Sequence, residues 1–133
     1  MDKVTIILHS DAYDRVTNAL SLASICLAMG MEAHILLTYG ALKRFVKGHL
    51  EDADGTDPDM LAMIKQSITS GINHSIEEKL ATARSLGLRL YACTNAMVTM
   101  DITPEDLVDE VDEIMGLTAF IQLSRDASIN WYI

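Results

Sequence analysis

The strongest candidate for covalent chemistry in this sequence is Cys93, which follows the short apolar run Leu-Arg-Leu-Tyr-Ala at 88–92. This run predicts a buried strand that ends at the thiol, and Thr94 onward predicts a helix. A residue at such a junction lies beside unpaired helix N–H groups and the positive end of the helix dipole. Since the thiolate is the nucleophile, and a helix N-terminus lowers a thiol pKa from about 8.5, we predict Cys93 to be catalytic. Free cysteines often only pack, and that alternative stays open.

The elements that must position Cys93 alternate between strand and helix. Strands are predicted at 4–8, 32–37, 88–93, 111–115 and 129–133. Helices are predicted after Ser10 or Asp11, after Gly40, from Pro58, from the Ser75–Glu78 capping box, after Cys93, briefly at Pro104, and over 117–124. This alternation favours right-handed crossovers and a three-layer α/β/α fold with a mostly parallel sheet. We expect one domain spanning 1–133, with a mobile acidic loop around 48–59 that includes Asp54.

The carboxyl ends of the predicted strands carry the candidate binding residues. Ligands of open parallel sheets bind outside these ends. The residues there are His9, Ser10, Asp11, Tyr39, Gly40, Thr94, Asn95, Met115 and Gly116. His9 could act as a base for Cys93 if their strands lie close together. A non-catalytic role for His9, hydrogen-bonded at the sheet edge, is the alternative.

Charge and composition exclude several function classes. The net charge of −9 argues against a nucleic-acid partner. The only basic cluster is Lys43, Arg44 and Lys47, which is either a solvated helix face or a grip for a partner's anionic group. The longest uncharged stretch, 16–31, is shorter than a membrane span. Two distant cysteines and no apparent signal peptide favour a cytoplasmic protein without a disulfide.

No cofactor or metal is expected. The sequence has no G-x-G-x-x-G, P-loop, C-x-x-C or H-x-x-x-H motif, and the acidic loop does not fit an EF-hand. His34 alternates within the second strand and is predicted to be a satisfied core residue. His49 and His74 are predicted to be exposed. The hydrophobic content of 50% is high for so small a chain, so we expect some apolar surface to be buried between subunits.

Nearly the whole chain resembles the DsrE/DsrF/TusD superfamily, especially the DsrE-like proteins described as sulfurtransferases or as peroxiredoxin-like. The matching pieces, in order, are Val4–Ser10, the first helix ending at 28–32, the corner at 37–40, Leu90–Cys93 and Met115–Leu117. The order and spacing of these pieces carry the resemblance, because no single piece is diagnostic.

The resemblance implies a five-stranded parallel α/β/α fold, assembly into trimers or hexamers, and sulfur donor and acceptor proteins as partners. It also implies that a cysteine at the position of Cys93 carries sulfane sulfur as a persulfide. In the carriers the segment after the cysteine tends to become basic, whereas Thr99-Met100-Asp101 carries no positive charge. The alternative function is a non-catalytic oligomeric module that binds a small anion or thiol metabolite at the carboxyl edge.

Overall fold

A computed structural model describes residues 2–53 and 55–133. The strands are β1 (Lys3–Leu8), β2 (Glu32–Leu37), β3 (Arg89–Cys93), β4 (Glu113–Met115) and β5 (Ile129–Tyr132). The helices are α1 (Tyr13–Ala28), α2 (Tyr39–Arg44), α3 (Pro58–Thr69), α4 (Ile76–Ser85), α5 (Thr94–Met100) and α6 (Leu117–Ser124), with a 3-10 turn at Pro104–Asp106. The predicted α/β fold is confirmed.

The five strands form one sheet in the order β4-β3-β2-β1-β5, and every neighbouring pair is parallel. The chain moves from β1 to β4 in one direction and then returns past β1 to add β5. Because right-handed crossovers in opposite directions use opposite faces, α1 and α6 lie on different faces of the sheet. The result is the predicted three-layer arrangement.

The core lies mainly between the sheet and α1. Val4, Ile6 and Leu8 are fully buried, and Ile6 is in register with Ile35, which is in register with Leu90. On the α6 face, the ring of Phe120 meets the Tyr91 ring edge-on, with the centroids 6.2 Å apart. Strands covered on both faces read as continuous apolar runs, which is why 4–8 and 32–37 were identifiable from sequence.

His34 is a satisfied core residue, as predicted. It is 7% exposed, and its Nδ1 lies 2.8 Å from the Tyr91 hydroxyl, whose ring stacks on the imidazole. Its Nε2 lies 3.4 Å from a Glu32 carboxylate oxygen. Burial lowers the pKa of His34, although Glu32 opposes the shift, so the neutral imidazole is favoured.

Two helix starts illustrate the agreement with the sequence, and another start differs from it. Asp57 precedes Pro58 and caps α3, because its carboxylate accepts a hydrogen bond from the Met60 N–H. Ser75 and Glu78 form the predicted capping box at the start of α4. The prediction that Ser10 or Asp11 caps α1 is wrong. The N-cap is Ala12, and the Tyr13 N–H donates to Thr56 Oγ1 at 2.8 Å, so a residue distant in sequence supplies the acceptor.

Arg44 connects the acidic segment to the rest of the fold. Its side chain is buried and does not lie on a solvated helix face. Arg44 is 3% exposed, and its guanidinium donates to the carbonyls of Asp11, Leu50 and Asp52. Glu51 in turn accepts from the Tyr13 hydroxyl at 2.5 Å. Asp54 lies outside the described residues, and the mobility of 48–59 stays a prediction. Across 2–53 and 55–133, no helix is long and apolar enough to cross a membrane.

Candidate functional site at the carboxyl edge of the sheet

Cys93 is the last residue of β3 and the N-cap of α5, which is the junction that the sequence predicts. Its side chain is only 2% exposed, and it is in register with Met115 of β4. The thiol is not in a disulfide, and neither is that of Cys26, which lies in the last turn of α1. Burial raises the pKa of Cys26, which favours its protonated and unreactive form.

Two residues that follow Cys93 are open to solvent. Thr94 and Asn95 begin α5, and both are exposed. The first N–H groups of any helix lack partners within the helix, so this end presents donors beside the thiol. The Asn95 amide nitrogen lies 3.5 Å from the Tyr39 hydroxyl, which connects the end of β3 to the end of β2. The buried sulfur thus lies beneath an exposed polar edge.

The corner after β2 has an unusual backbone. Tyr39 has a φ of 43°, in the left-handed region that a bulky residue rarely adopts. Such conformations cost about 1–3 kcal/mol and concentrate at functional sites. The next residue, Gly40, passes close to the β1 loop, because a Cβ there would lie 3.0 Å from the Asp11 nitrogen and the His9 carbonyl oxygen.

His9 packs against this corner and is separated from the Cys93 thiol by a strand. Its ring contacts the rings of Tyr39 and Tyr132, with centroids 5.8 and 5.9 Å away. His9 could act as a base for Cys93 only if their strands were close in the sheet, and β2 separates β1 from β3. Strands two places apart are separated by about 9.6 Å, so a direct hydrogen bond from His9 would have to span β2.

The predicted binding residues all follow strand ends on one edge of the sheet. The end of β4 contributes Met115 beside Cys93, and Gly116 is the N-cap of α6. The end of β1 is held by the carbonyl of Ile133, which accepts from the N–H groups of His9 and Ser10. The roles of these residues, including Ser10 and Asp11, stay predictions.

The sequence reasoning missed the end of β5. Tyr132 is 70% exposed and stacks on His9, so it belongs to the same edge. The signal was present, because Tyr132 lies at the end of a predicted strand. Its neighbour in the sheet could not be known without the strand order. Among the described residues, no group of three or more His, Cys, Asp or Glu side chains could hold a metal ion.

The chain is therefore a small protein of parallel α/β/α architecture with a cysteine at a strand–helix junction. The sequence model of the DsrE/DsrF/DrsH-like family matches residues 55–132. This chain therefore belongs to the DsrE/DsrF/DrsH-like family. Comparison with curated proteins gives no match.

Solved structures show the same fold. The YchN protein of E. coli has a TM-score of 0.71 and 18% identity, with 100% of each chain covered. MTH1491 of Methanobacterium thermoautotrophicum, described as a protein of unknown function, has a TM-score of 0.66 and 14% identity, again with 100% of each chain covered. At these identities the likeness concerns the architecture.

Proposed function

We propose that the protein is a sulfur carrier with sulfurtransferase-like chemistry, in which Cys93 holds sulfane sulfur as a persulfide. The observation that carries this proposal is the position of Cys93 at the junction of β3 and α5, at the carboxyl edge of a parallel sheet. Membership of the DsrE/DsrF/DrsH-like family supports it, because the resemblance implies sulfur relay through a cysteine at this point.

The proposed transfer is a thiol exchange. The Cys93 thiolate attacks the outer sulfur of a donor persulfide, an S–S bond forms on Cys93, and the donor's S–S bond breaks. The donor leaves as a thiolate with the bonding electron pair, and the outer sulfur keeps its proton. An acceptor thiolate then attacks the same outer sulfur and releases Cys93 as thiolate. No oxidant or cofactor is needed, because sulfane sulfur is exchanged without net oxidation.

The start of α5 is suited to hold the two anions of this cycle. The backbone N–H groups of Thr94 and Asn95, together with the helix dipole, favour a thiolate or persulfide anion on the preceding residue. Their exposed side chains mark the side from which a donor would approach. Since Cys93 itself is 2% exposed, the transfer requires local opening of this edge.

The low exposure of Cys93 also favours a second candidate function. A sulfur that stays covered would leave the edge as a non-catalytic site for a small anion or thiol metabolite, held by His9, Tyr39 and Asn95. The two candidates differ in one observable, because only the carrier forms a covalent sulfur adduct.

Mass spectrometry of the intact protein after incubation with a low-molecular-weight persulfide tests the proposal. The wild-type chain should gain the mass of one sulfur atom, and a thiol acceptor should remove it. Cys93→Ser should abolish the gain. Cys26→Ser is the matched control, because the chain has only two cysteines and Cys26 is buried within α1. An unchanged gain in Cys93→Ser would exclude Cys93, and no gain in the wild type would favour the binding module.

We also infer that the chain forms homo-oligomers, as trimers or hexamers, through the α6 face. Leu117 and Ile121 of α6 are 49% and 54% exposed, and they lie one helical turn apart on the same side of that helix. Apolar side chains exposed together on a charged chain are typical of an interface. The two unbridged cysteines fit a reducing compartment, so we place the protein in the cytoplasm.

A further inference from the structure

A groove of about 600 Å³ lies between α1 and the edge strand β5 and extends to α3 and the start of α4. It adjoins Tyr132 at the end of β5 but includes none of the binding residues that the sequence predicts around Cys93. Its volume is within the range of about 300–1,000 Å³ that is typical of small-molecule sites. The groove combines a buried hydroxyl without a partner, an apolar wall, and cationic groups that form no ion pair within the described part of the chain.

The hydroxyl belongs to Thr17 of α1, which lines the groove. Thr17 is 6% exposed, and its Oγ1 is the one buried side-chain polar atom without a hydrogen-bond partner among the described residues. A buried polar group without a partner is destabilising, and most such groups in folded proteins are satisfied. Thr17 lines the groove, so a ligand bound there is a candidate partner for this hydroxyl.

The cationic groups are Lys79 and Arg15. The Lys79 ammonium donates to Ser21 Oγ at 3.0 Å, and burial lowers its pKa. Neither side chain forms an ion pair with any carboxylate of the described residues, although the whole chain has a net charge of −9. A partly desolvated ammonium without a counter-ion attracts an anion. Asp14 also lines the groove, which disfavours ligands of high negative charge.

The wall opposite these groups is apolar. Trp131 is in register with Ile6 and faces the α1 side of the sheet, and Leu22 and Ile64 also line the groove. We propose that this groove binds a small organic monoanion, a carboxylate with an apolar body. The carboxylate contacts Lys79 and Thr17, and the apolar body packs against Trp131.

A titration with hexanoate, monitored by tryptophan fluorescence, tests the proposal directly. Trp131 is the only tryptophan of the chain, and it lines both this groove and a smaller cavity between β5 and α6. Its emission reports binding at either place, and the Lys79 and Thr17 variants assign the response to the groove. We expect a saturable change with hexanoate. Neutral 1-hexanol tests the role of the charge, and inorganic phosphate tests the role of the apolar body. Each should bind about tenfold more weakly than hexanoate, since a hydrogen bond to a charged group and a buried apolar chain each contribute on this scale.

Two variants locate the anion. Lys79→Met should weaken hexanoate binding about tenfold, and Thr17→Val about fivefold. The unliganded Thr17→Val protein should remain at least as stable as the wild type, because the lost hydroxyl has no partner. Lys43→Met is the matched control, since Lys43 is an exposed lysine outside the groove. The proposal is overturned by a missing saturable response, by equal binding of 1-hexanol or phosphate, or by equal affinities of the Lys79 and Lys43 variants.

Discussion

Replacing Arg44 alone should strongly destabilise the fold. Arg44 belongs to α2, yet its guanidinium lies inside the protein and donates to three backbone carbonyls from two loops. The guanidinium also lies over the Tyr13 ring, with Cζ 5.5 Å from the centroid. In Arg44→Met the side-chain stem is preserved, but the carbonyls of Asp11, Leu50 and Asp52 lose these donors.

The expected cost follows from those contacts. A hydrogen bond to a charged group contributes about 1.5–3 kcal/mol, and contributions within one network are not additive. Desolvation of the guanidinium, which also lowers the pKa of Arg44, offsets part of the gain. We expect Arg44→Met to lower the free energy of unfolding by about 4 kcal/mol. For a chain of 133 residues this corresponds to a fall in Tm of about 14 °C.

Urea unfolding measures this loss, provided that the m-value does not change. Arg44→Lys keeps the charge but cannot reach three carbonyls with one ammonium, so it should recover less than half of the loss. Arg15→Met is the matched control, since Arg15 is exposed on α1, and it should change stability by less than about 0.5 kcal/mol. A loss below about 1 kcal/mol in Arg44→Met, or one equal to that of Arg15→Met, would refute the reasoning.

Two further predictions concern pH and assembly. Burial lowers the pKa of His34 below its unfolded value of 6.5, so the unfolded state binds a proton first as the pH falls. The stability contributed by neutral His34 should therefore be fully present above pH 6.5 and should be lost as the pH falls below it. In urea unfolding, the free energy of unfolding of His34→Gln should fall less steeply between pH 6.5 and 5 than that of the wild type. An equal pH dependence in the two proteins would contradict this prediction. Ile121→Glu on α6 should shift sedimentation toward the monomer, whereas Met63→Glu, at a similarly exposed position of α3, should not; a wild-type monomer would contradict the inferred assembly.

The sequence was sufficient for features that depend on neighbours along the chain. The β3–α5 junction at Cys93 and the Ser75–Glu78 capping box were readable because their signals span only a few residues. His34 was readable as a core residue from the period of a strand. These features depend on local backbone geometry and on which face is covered.

Features that depend on distant residues were not readable. The acceptor for the Tyr13 N–H is Thr56, and the partners of Arg44 are carbonyls of two loops, so neither follows from local pattern. The separation of His9 from Cys93 depends on the strand order, and β2 could have been placed elsewhere without changing any periodicity. From sequence, an arginine at the end of a short helix is predicted to be solvated, because the loops that cover it are known only from the fold.

That strand order gives the corner after β2 a central position in the candidate site. With β1 on one side and β3 on the other, Tyr39 and Gly40 touch both flanks: the Tyr39 hydroxyl lies near the Asn95 amide, and Gly40 lies against the loop after His9. A Cβ at position 40 would meet that loop at 3.0 Å, so the close approach favours glycine. The left-handed conformation of Tyr39 lies directly before this contact, at the only strand end that adjoins both the histidine and the cysteine. These contacts connect the ends of β1, β2 and β3, so a change at this corner should affect both His9 and the start of α5.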